Sequence, residues 1–358
     1  MTDLLYSETE DDLRSAVRSL LTDRADPSVL LGRIETGDPY VPGLWKSLAG
    51  EIGAAGLLVP EELGGQGASH REAAVVLEEL GRAVTPAPYL TSGVIATETL
   101  LALDAASAPV AELLADLAAG RTVAVLALPL STAPGAEPAL NDTVTGVADA
   151  LAADVILVPR ADGLYAVPAT EATIAPQSPL DLTRPLAAVT TGSGSGTLLA
   201  DAAASTAAVE RGLLAGAGLL ASEQLGLAEW CLEETVRHTR SRYQFNRPVG
   251  SFQALKHRMA QLWLEIVNAR AAARAAADAL ATGSPEAPLT IAVGQAYCSK
   301  VAVHAAEECV QLHGGIGMTW EHPAHLALKR AKSDQIALGS AGRHQDAIAA
   351  LVGLPAPA

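Results

Sequence analysis

The sequence is poor in aromatic residues, which make up 3% of its 358 positions, whereas 49% of the positions are hydrophobic. Alanine, leucine and valine recur throughout, so small and branched aliphatic side chains must fill the core. This composition is typical of closely packed helices. The length allows two or three domains with buried cores. We therefore expect a globular protein that is mainly helical.

Cysteines and long apolar runs are also scarce. The three cysteines, Cys231, Cys298 and Cys309, are widely spaced and lie in apolar helical patterns. This favours buried thiols in a reducing compartment over disulfides or a zinc site. No run of 18 apolar residues is free of charge or glycine, and no basic leader with an apolar stretch behind it opens the sequence. We expect a cytoplasmic protein with no metal site and no membrane partner.

Positive charge is in short supply, since Lys and Arg total 24 against 40 Asp and Glu, which gives a formal charge of −16. The electrostatic field of such a protein repels nucleic acid and anionic lipid, so neither is an expected partner. An anionic ligand would need a local cluster of cations and backbone N–H groups. A local cluster of this kind would therefore indicate a binding site for an anionic ligand.

Hydrophobic periodicity divides the chain into three parts. Residues 1–120 show helical spacing, with Ser7 and Ser69 where helix N-caps are expected. Residues 121–206 change to short β-branched runs broken by proline and glycine, which predicts a small β domain. Helical spacing returns in residues 207–358 and predicts a bundle. The runs expected to form strands are Thr122–Leu128, Asp154–Val158, Leu164–Val167 and Ala187–Thr191.

The pattern of the bundle predicts its helices in more detail. We expect a helical hairpin over Ala207–Ala281, interrupted at Asn246–Gly250, and a further helix over Ala287–Leu312. The second arm of the hairpin carries an apolar seam at helical spacing. We expect the hairpin that bears this seam to pack in a tetrameric core. Its residues are Leu255, Met259, Leu262 and Ile266.

Two segments in the last third have the most specific pattern. One is Arg242-Tyr-Gln-Phe-Asn-Arg-Pro-Val-Gly-Ser-Phe-Gln-Ala-Leu-Lys-His257, and the other is Gln311-Leu-His-Gly-Gly-Ile-Gly317. In this order they closely resemble the paired signatures of the flavin-dependent acyl-CoA dehydrogenases. The loop Val59-Pro-Glu-Glu-Leu-Gly-Gly-Gln-Gly67 also resembles a connection in that family's first domain. The resemblance implies a helical N-terminal domain, a middle β-barrel domain and a C-terminal four-helix bundle.

The residue types of these segments suit the pyrophosphate of flavin adenine dinucleotide (FAD). Arg242 supplies a planar bidentate cation, while the amide of Gln311 and the open backbone of Gly314 and Gly315 supply further donors. Singly, a helix-end arginine is more often a solvated charge, and a Gly-Gly-x-Gly run is often only a C-cap and a turn. Together, at the family's spacing, they favour cofactor binding.

The resemblance implies further that each flavin site is shared by two subunits. Phe245 and Gln253 then flank the same cofactor, and Arg242 and Gln311 reach the FAD seated in the neighbouring subunit. The family holds the flavin ring in its β domain, with a Glu-containing turn and a tryptophan. The corresponding stretch here, Val125–Gly135, has no aligned glutamate, and no tryptophan occurs between Trp45 and Trp230. The ring cradle is therefore interpreted as degraded.

The catalytic base of the family is missing as well. Dehydrogenation of an acyl-CoA needs a carboxylate that removes the α proton while the β hydrogen leaves as hydride. Leu338 stands at the usual position of that base, and Gly216 stands at the alternative position. No residue is therefore predicted to be catalytic.

Three other carboxylates are candidates for an unusual base. Glu210 lies six residues before Gly216 and Glu223 seven after it, or about 9 and 10 Å along a helix axis. Asp334 is one turn from Leu338. We interpret all three as ordinary helix carboxylates.

These features favour a base-less subunit that completes the FAD site of a catalytic paralogue, in an α2β2 heterotetramer. The resemblance implies an acyl-CoA substrate, with an acyl group such as a steroid side chain, and an electron-transfer flavoprotein or similar acceptor. One alternative is a self-sufficient homo-oligomeric dehydrogenase that uses one of the three carboxylates above as its base. The other is a non-enzymatic scaffold that kept the bundle for assembly.

Overall fold

The computed structural model describes residues 4–137 and 140–355. The first part of the chain is helical, as expected. Two of its helices begin at capping boxes, in which Ser7 pairs with Glu10 and Ser69 with Glu72. A π-helix over Tyr89–Ala96 leads into the fifth helix. The helices are α1 (Glu8–Arg24), α2 (Pro27–Glu35), α3 (Leu44–Lys46), α4 (His70–Ala83), α5 (Thr97–Leu101) and α6 (Ala108–Ala118).

The middle part forms two small sheets around a common apolar core. Its strands are β1 (Ala124–Leu126), β2 (Thr143–Ala148), β3 (Val155–Arg160), β4 (Gly163–Pro168), β5 (Ala172–Gln177), β6 (Leu186–Thr191) and β7 (Thr197–Asp201). One sheet has the order β1-β3-β4-β7, and the other has the order β2-β6-β5. Strands β1 and β3 pair in parallel, and the remaining pairs of both sheets are antiparallel. The four predicted strands are present.

Sequence reasoning missed strands β2, β5 and β7. Most of their side chains are exposed or only half-buried. Glycine interrupts β2, proline interrupts β5, and β7 follows a glycine-rich loop, so the sequence signal for a strand is weak in all three. Their pairing with better buried strands, rather than their own composition, makes them part of the sheets.

The last part is a bundle dominated by three long helices. The predicted hairpin is present, although its first helix begins five residues early, where Asp201 caps it. The helices are α7 (Ala202–Ser241), α8 (Gln253–Ala281), α9 (Ala287–His313), α10 (Ala324–Asp334) and α11 (Ala341–Leu351). A short β-hairpin, β8 (Tyr243–Gln244) and β9 (Arg247–Pro248), joins α7 to α8. All three cysteines are buried, as expected.

Part of the apolar seam of α8 is covered within the chain itself. Leu262 and Ile266 are 0% and 1% exposed in the single chain, while the packing of the hairpin in a tetrameric core stays a prediction. Trp263 and Leu264 on the same helix remain 55% and 51% exposed. Periodicity identifies a buried face, but it does not reveal which neighbour covers that face. No helix among the described residues has the length and apolar character needed to cross a membrane.

Candidate functional site

Arg242 and Gln311 lie at the same end of the bundle. Arg242 is the C-cap of α7, and Gln311 lies in the last turn of α9. The rings of His238 and His313, each within about a turn of one of them, have their centroids 4.3 Å apart. Both Arg242 and Gln311 are exposed. Within the described residues the Arg242 guanidinium has no hydrogen bond or ion pair, so its donors are available to a ligand.

The turn between β8 and β9 projects an aromatic side chain into solvent. Phe245 and Asn246 have φ of 52° and 59°, as in the two-residue hairpin turns that match the twist of paired strands. Such φ values are uncommon for a bulky residue. Phe245 is 87% exposed and meets Phe252 edge to face at 6.2 Å. Gln253 begins α8 and is also exposed.

The glycines after α9 divide into two groups. Gly314 has φ +65°, and a Cβ placed there or on Gly315 would meet nothing within 4 Å. A Cβ on Gly317 would lie 2.6 Å from the carbonyl oxygen of Val310. Gly317 is therefore required by packing within the chain, whereas Gly314 and Gly315 leave an open backbone surface. We call Arg242, Gln311, Gly314 and Gly315 the candidate half-site.

Leu338 and Gly216, the two positions predicted to correspond to the family's base, meet in space. Leu338 is 1% exposed, and a Cβ placed on Gly216 would lie 3.2 Å from Leu338 Cδ1 and 2.6 Å from Ile95 Cγ1. The backbone N–H of Leu338 donates to the carbonyl of Leu130 at 2.7 Å, which joins this segment to the loop after β1. We call Ile95, Gly216 and Leu338 the apolar closure.

The space beside the apolar closure is very small. The cavity has a volume of about 30 Å³, which is about the share of one water molecule in the liquid. The residues that line it are Thr91, Ile95, Val125, Leu126, Leu128, Leu130, Ala148, Leu213 and Leu338. It offers no carboxylate, and neither a flavin ring nor an acyl chain fits it.

A larger, open cleft lies outside this cavity, between the loop after β1, strand β2 and the segment from Ile336 to Arg343. Its volume is about 540 Å³, and the described residues that line it include no aromatic side chain. Glu210 on α7 anchors the loop after β1, because it accepts a hydrogen bond from the N–H of Gly135 at 2.8 Å. Glu210 thus positions the loop. The cleft has no evident platform for a flavin ring.

Glu223 and Asp334 are not the ordinary helix carboxylates that the sequence suggested. Both are buried in an ion cluster with Arg184 and Arg330, and Arg330 also pairs with Asp181 at 2.5 Å. Burial raises the pKa of Glu223, but the two arginines outweigh it and hold the pKa below its usual value. Burial raises the pKa of Asp334 well above its usual value. Neither carboxylate has access to a substrate.

The ion cluster continues toward the N-terminal helices. Asp149 of the middle domain is fully buried and accepts hydrogen bonds from Tyr40 at 2.7 Å and from Thr91 at 2.8 Å. Arg184 also belongs to the middle domain, while Arg330 lies on α10. Since a buried charge is tolerated only when it is paired, these contacts specify how the three parts pack. Sequence reasoning missed the cluster because its members are far apart along the chain.

Comparison with known proteins defines the class of the chain. Residues 7–121 match the model of the acyl-CoA dehydrogenase N-terminal domain, and residues 206–353 match that of the acyl-CoA dehydrogenase C-terminal domain. The chain therefore belongs to the acyl-CoA dehydrogenase family, whose cofactor is FAD. The matched ranges leave out residues 122–205.

Several relatives and solved structures are similar to this chain over nearly its whole length. The acyl-CoA dehydrogenase IpdE2 of Mycolicibacterium smegmatis is 36% identical over 334 residues, which cover 93% of this chain and 95% of the relative. The ChsE4-ChsE5 complex from Mycobacterium tuberculosis contains a chain with a TM-score of 0.85, 22% identity and coverage of 99% of this chain and 100% of that one. A variant of the Tcur3481-Tcur3483 steroid acyl-CoA dehydrogenase has a TM-score of 0.84, 25% identity and coverage of 97% and 98%. The fold is thus shared with a chain of the ChsE4-ChsE5 complex and with a steroid acyl-CoA dehydrogenase.

Proposed function

We propose that this chain is the non-catalytic subunit of a heteromeric acyl-CoA dehydrogenase, and that its candidate half-site completes the FAD site of a paralogous catalytic subunit. One observation carries the proposal. Helix α7 bears both Gly216 and Arg242, which are 26 residues and therefore roughly 39 Å apart along the helix axis. That span exceeds the reach of one FAD molecule. The arginine thus serves a different flavin from any that would lie at this chain's own base position.

The division of labour follows from the chemistry of the two places. When bound, FAD accepts the β hydrogen of the acyl-CoA as hydride. The catalytic partner supplies the carboxylate that removes the α proton, because Leu338 and Gly216 cannot take a proton. Arg242 places two parallel N–H groups against the pyrophosphate, and Gln311 adds an amide donor. Gly314 and Gly315 allow close approach of the backbone, and Phe245 and Gln253 flank the cofactor.

The substrate class and assembly are part of the same proposal. The proposed substrate is an acyl-CoA thioester with a bulky acyl group such as a steroid side chain, and the similarity to a steroid acyl-CoA dehydrogenase supports it. The proposed assembly is an α2β2 heterotetramer in the cytoplasm, and the similarity to a chain of the ChsE4-ChsE5 complex supports a paralogous partner. An electron-transfer flavoprotein or a similar protein would be the electron acceptor. Trp263 and Leu264 of α8 offer an exposed apolar face to a neighbouring subunit.

Flavin content tests the proposal. The isolated chain is expected to be nearly colourless, and the complex co-expressed with an intact paralogue is expected to carry FAD. Arg242→Ala should lower the FAD affinity of the complex about tenfold to a hundredfold, since a hydrogen bond to a charged group contributes about 1.5–3 kcal/mol. Arg240→Ala is the matched control, because Arg240 is exposed one turn or less away on the same helix. Equal FAD loss in both variants, or stoichiometric FAD in the isolated chain, contradicts the proposal.

The two alternatives give different results. A self-sufficient enzyme requires the isolated chain to reduce an acceptor dye with an acyl-CoA. The burial of Glu223 and Asp334 and the tethering role of Glu210 leave it without an available base. A scaffold requires that loss of Arg242 and Gln311 leave the flavin content of the partner unchanged.

A further inference from the structure

A group of polar side chains lies behind the candidate half-site. Glu234 projects from α7 about two turns before Arg242, His313 is the last residue of α9, and His322 precedes α10. Glu234 Oε1 lies 3.6 Å from His313 Nε2 and 3.9 Å from His322 Nε2. The three atoms all lie within 4.8 Å of one another. One carboxylate oxygen and two imidazole nitrogens thus converge from three segments of the chain.

The second imidazole nitrogen of His313 is the observation that points to a ligand. The side chain is fully buried, and its Nδ1 lies 2.6 Å from the carbonyl oxygen of Cys309, to which it donates a proton. Nε2 is buried and has no hydrogen-bond partner among the described residues. A buried polar atom without a partner costs about 1–3 kcal/mol. A carbonyl behind the ring, with the other nitrogen free, is how proteins orient a metal-binding histidine.

The spacing and the ligand types suit a first-row divalent cation. Zn²⁺ binds imidazole nitrogen and carboxylate oxygen at about 2.0–2.2 Å, so neighbouring ligand atoms of a tetrahedral ion lie about 3.3–3.6 Å apart. The two carboxylate–imidazole distances of 3.6 and 3.9 Å need only small side-chain rotations to reach that range. Imidazole combined with carboxylate favours Zn²⁺ over Mg²⁺ or Ca²⁺. Three protein ligands leave one position for water.

Two contacts must yield when an ion binds. Arg237 also pairs with Glu234, but its side chain is 72% exposed, and an exposed pair contributes about 0–1 kcal/mol. The backbone N–H of Ala324 donates to His322 Nδ1 at 3.2 Å. Because Nδ1 accepts this hydrogen bond, the proton of the neutral ring is on Nε2, so the contact must break and the ring must turn before Nε2 can bind an ion. A proton on His313 competes with the ion for this space. Burial lowers the pKa of His313, but Cys309 and Glu234 outweigh it and raise the pKa to about 10.

We propose that Glu234, His313 and His322 form a binding site for Zn²⁺, which joins the ends of α7 and α9 to the segment leading into α10. The site lies behind the candidate half-site, but the proposal does not depend on flavin binding. His313 follows Gln311 by two residues, so a bound ion would hold that end of α9 in place. Sequence analysis predicted no metal site, because the three ligands are far apart along the chain and form no recognisable motif.

Metal titration of the full chain tests the proposal. Chelator-treated protein titrated with ZnCl₂ in a calorimeter should bind one Zn²⁺ per chain, with a Kd on the order of micromolar or tighter. Glu234→Gln and His322→Ala should each weaken binding by at least about tenfold. His304→Ala is the matched control, because His304 also contacts two carboxylates, Glu265 and Glu308, but lies 43% exposed on another face. It should bind as the wild type does.

Titration with CoCl₂ gives an independent signal. The visible absorption of tetrahedral cobalt should appear in the wild type and in His304→Ala and be absent from His322→Ala. Circular dichroism establishes that each variant is folded, and the half-buried His322 is preferred to the fully buried His313 for that reason. Absence of stoichiometric Zn²⁺ binding overturns the proposal, as does wild-type affinity in both Glu234→Gln and His322→Ala.

Discussion

The candidate half-site and the apolar closure share the helix α7 but differ in chemistry. The half-site presents Arg242, an exposed cation without a hydrogen bond or ion pair among the described residues, and the open backbone of Gly314 and Gly315. At the closure, Leu338 and Ile95 pack where a base and a substrate would have to stand. A chain with its own active site would need polar chemistry at both places. This difference is what the proposed separation of binding and catalysis between subunits predicts.

The candidate half-site and the apolar closure also differ in how tightly their residues are packed. The closure is supported by fully buried contacts, and close-packed interiors resist any change of volume. The half-site lies at the ends of α7 and α9, where its residues are exposed. Substitutions at the closure should therefore act on stability, whereas substitutions at the half-site should act on flavin affinity.

The largest effect is expected from Leu338→Glu. The variant restores a carboxylate at the family's base position but puts it into an apolar space of about 30 Å³. An uncompensated buried charge costs on the order of 3–5 kcal/mol, so the free energy of unfolding should fall by about that amount. Dye reduction by the complex should not rise. Urea unfolding and a dye assay measure both, with Leu338→Met as the volume-matched control. A gain in turnover would mean that the closure is an active site after all.

A smaller loss of stability is expected when the polar contact beside the closure is removed. Glu98 on α5 is 2% exposed and pairs with Arg211 on α7 at 2.6 Å and with His70 at 3.0 Å. Glu98→Gln should lower the free energy of unfolding by about 1.5–3 kcal/mol at neutral pH, since it removes a charged hydrogen bond.

The same contact predicts a pH dependence. Burial raises the pKa of Glu98, but His70 and Arg211 outweigh it and hold the pKa below its usual value. Its stabilising effect is therefore complete above about pH 4.3, the unfolded value, and is lost as the pH falls through the lower folded pKa. Urea unfolding at several pH values should show wild type and Glu98→Gln converging in acid. A difference that stays constant would show that the charge is not responsible.

At the half-site, Arg242→Lys should separate charge from geometry. The ammonium keeps the charge but loses the planar fork, so only part of the FAD affinity lost in Arg242→Ala should return. The free energy of unfolding should stay within about 0.5 kcal/mol of the wild type in both variants, because Arg242 is exposed. Flavin titration of the complex and urea unfolding provide the two measurements. Full recovery of FAD affinity in Arg242→Lys would show that the positive charge of Arg242 is sufficient and that the planar fork contributes nothing.

The smallest effect on stability is expected from Gly315→Ala. A Cβ there meets nothing within 4 Å, so the unfolding free energy should hardly change, whereas FAD binding by the complex should weaken because the backbone can no longer approach the pyrophosphate closely. Gly317→Ala is the contrasting variant. Its Cβ would lie 2.6 Å from the carbonyl of Val310, and it should destabilise the chain. Similar unfolding curves for the two would contradict this assignment.

Several elements could be predicted because their signal is local. The caps at Ser7 and Ser69 and the helix over Ala287–His313, which ends one residue beyond its predicted end, follow from the spacing of polar and apolar residues along one segment. The weakly apolar strands β2, β5 and β7 could not be predicted, since their stability comes from their partners. The covering of Leu262 and Ile266 within the chain could not be predicted for a related reason, because periodicity identifies a buried face but not the element that covers it.

The sequence by itself determined the family and the order of helical, β and helical parts, and it has leucine and glycine at the two positions predicted to correspond to the family's base. Those properties depend on residue identity and on periodicity within single segments. Only the tertiary structure decided that Gly216 meets Leu338, that Glu223 is neutralised by arginines, and that Glu234 converges with two histidines. Each is a contact between residues far apart along the chain. Such contacts arise from how buried faces pack together, and no local pattern encodes them.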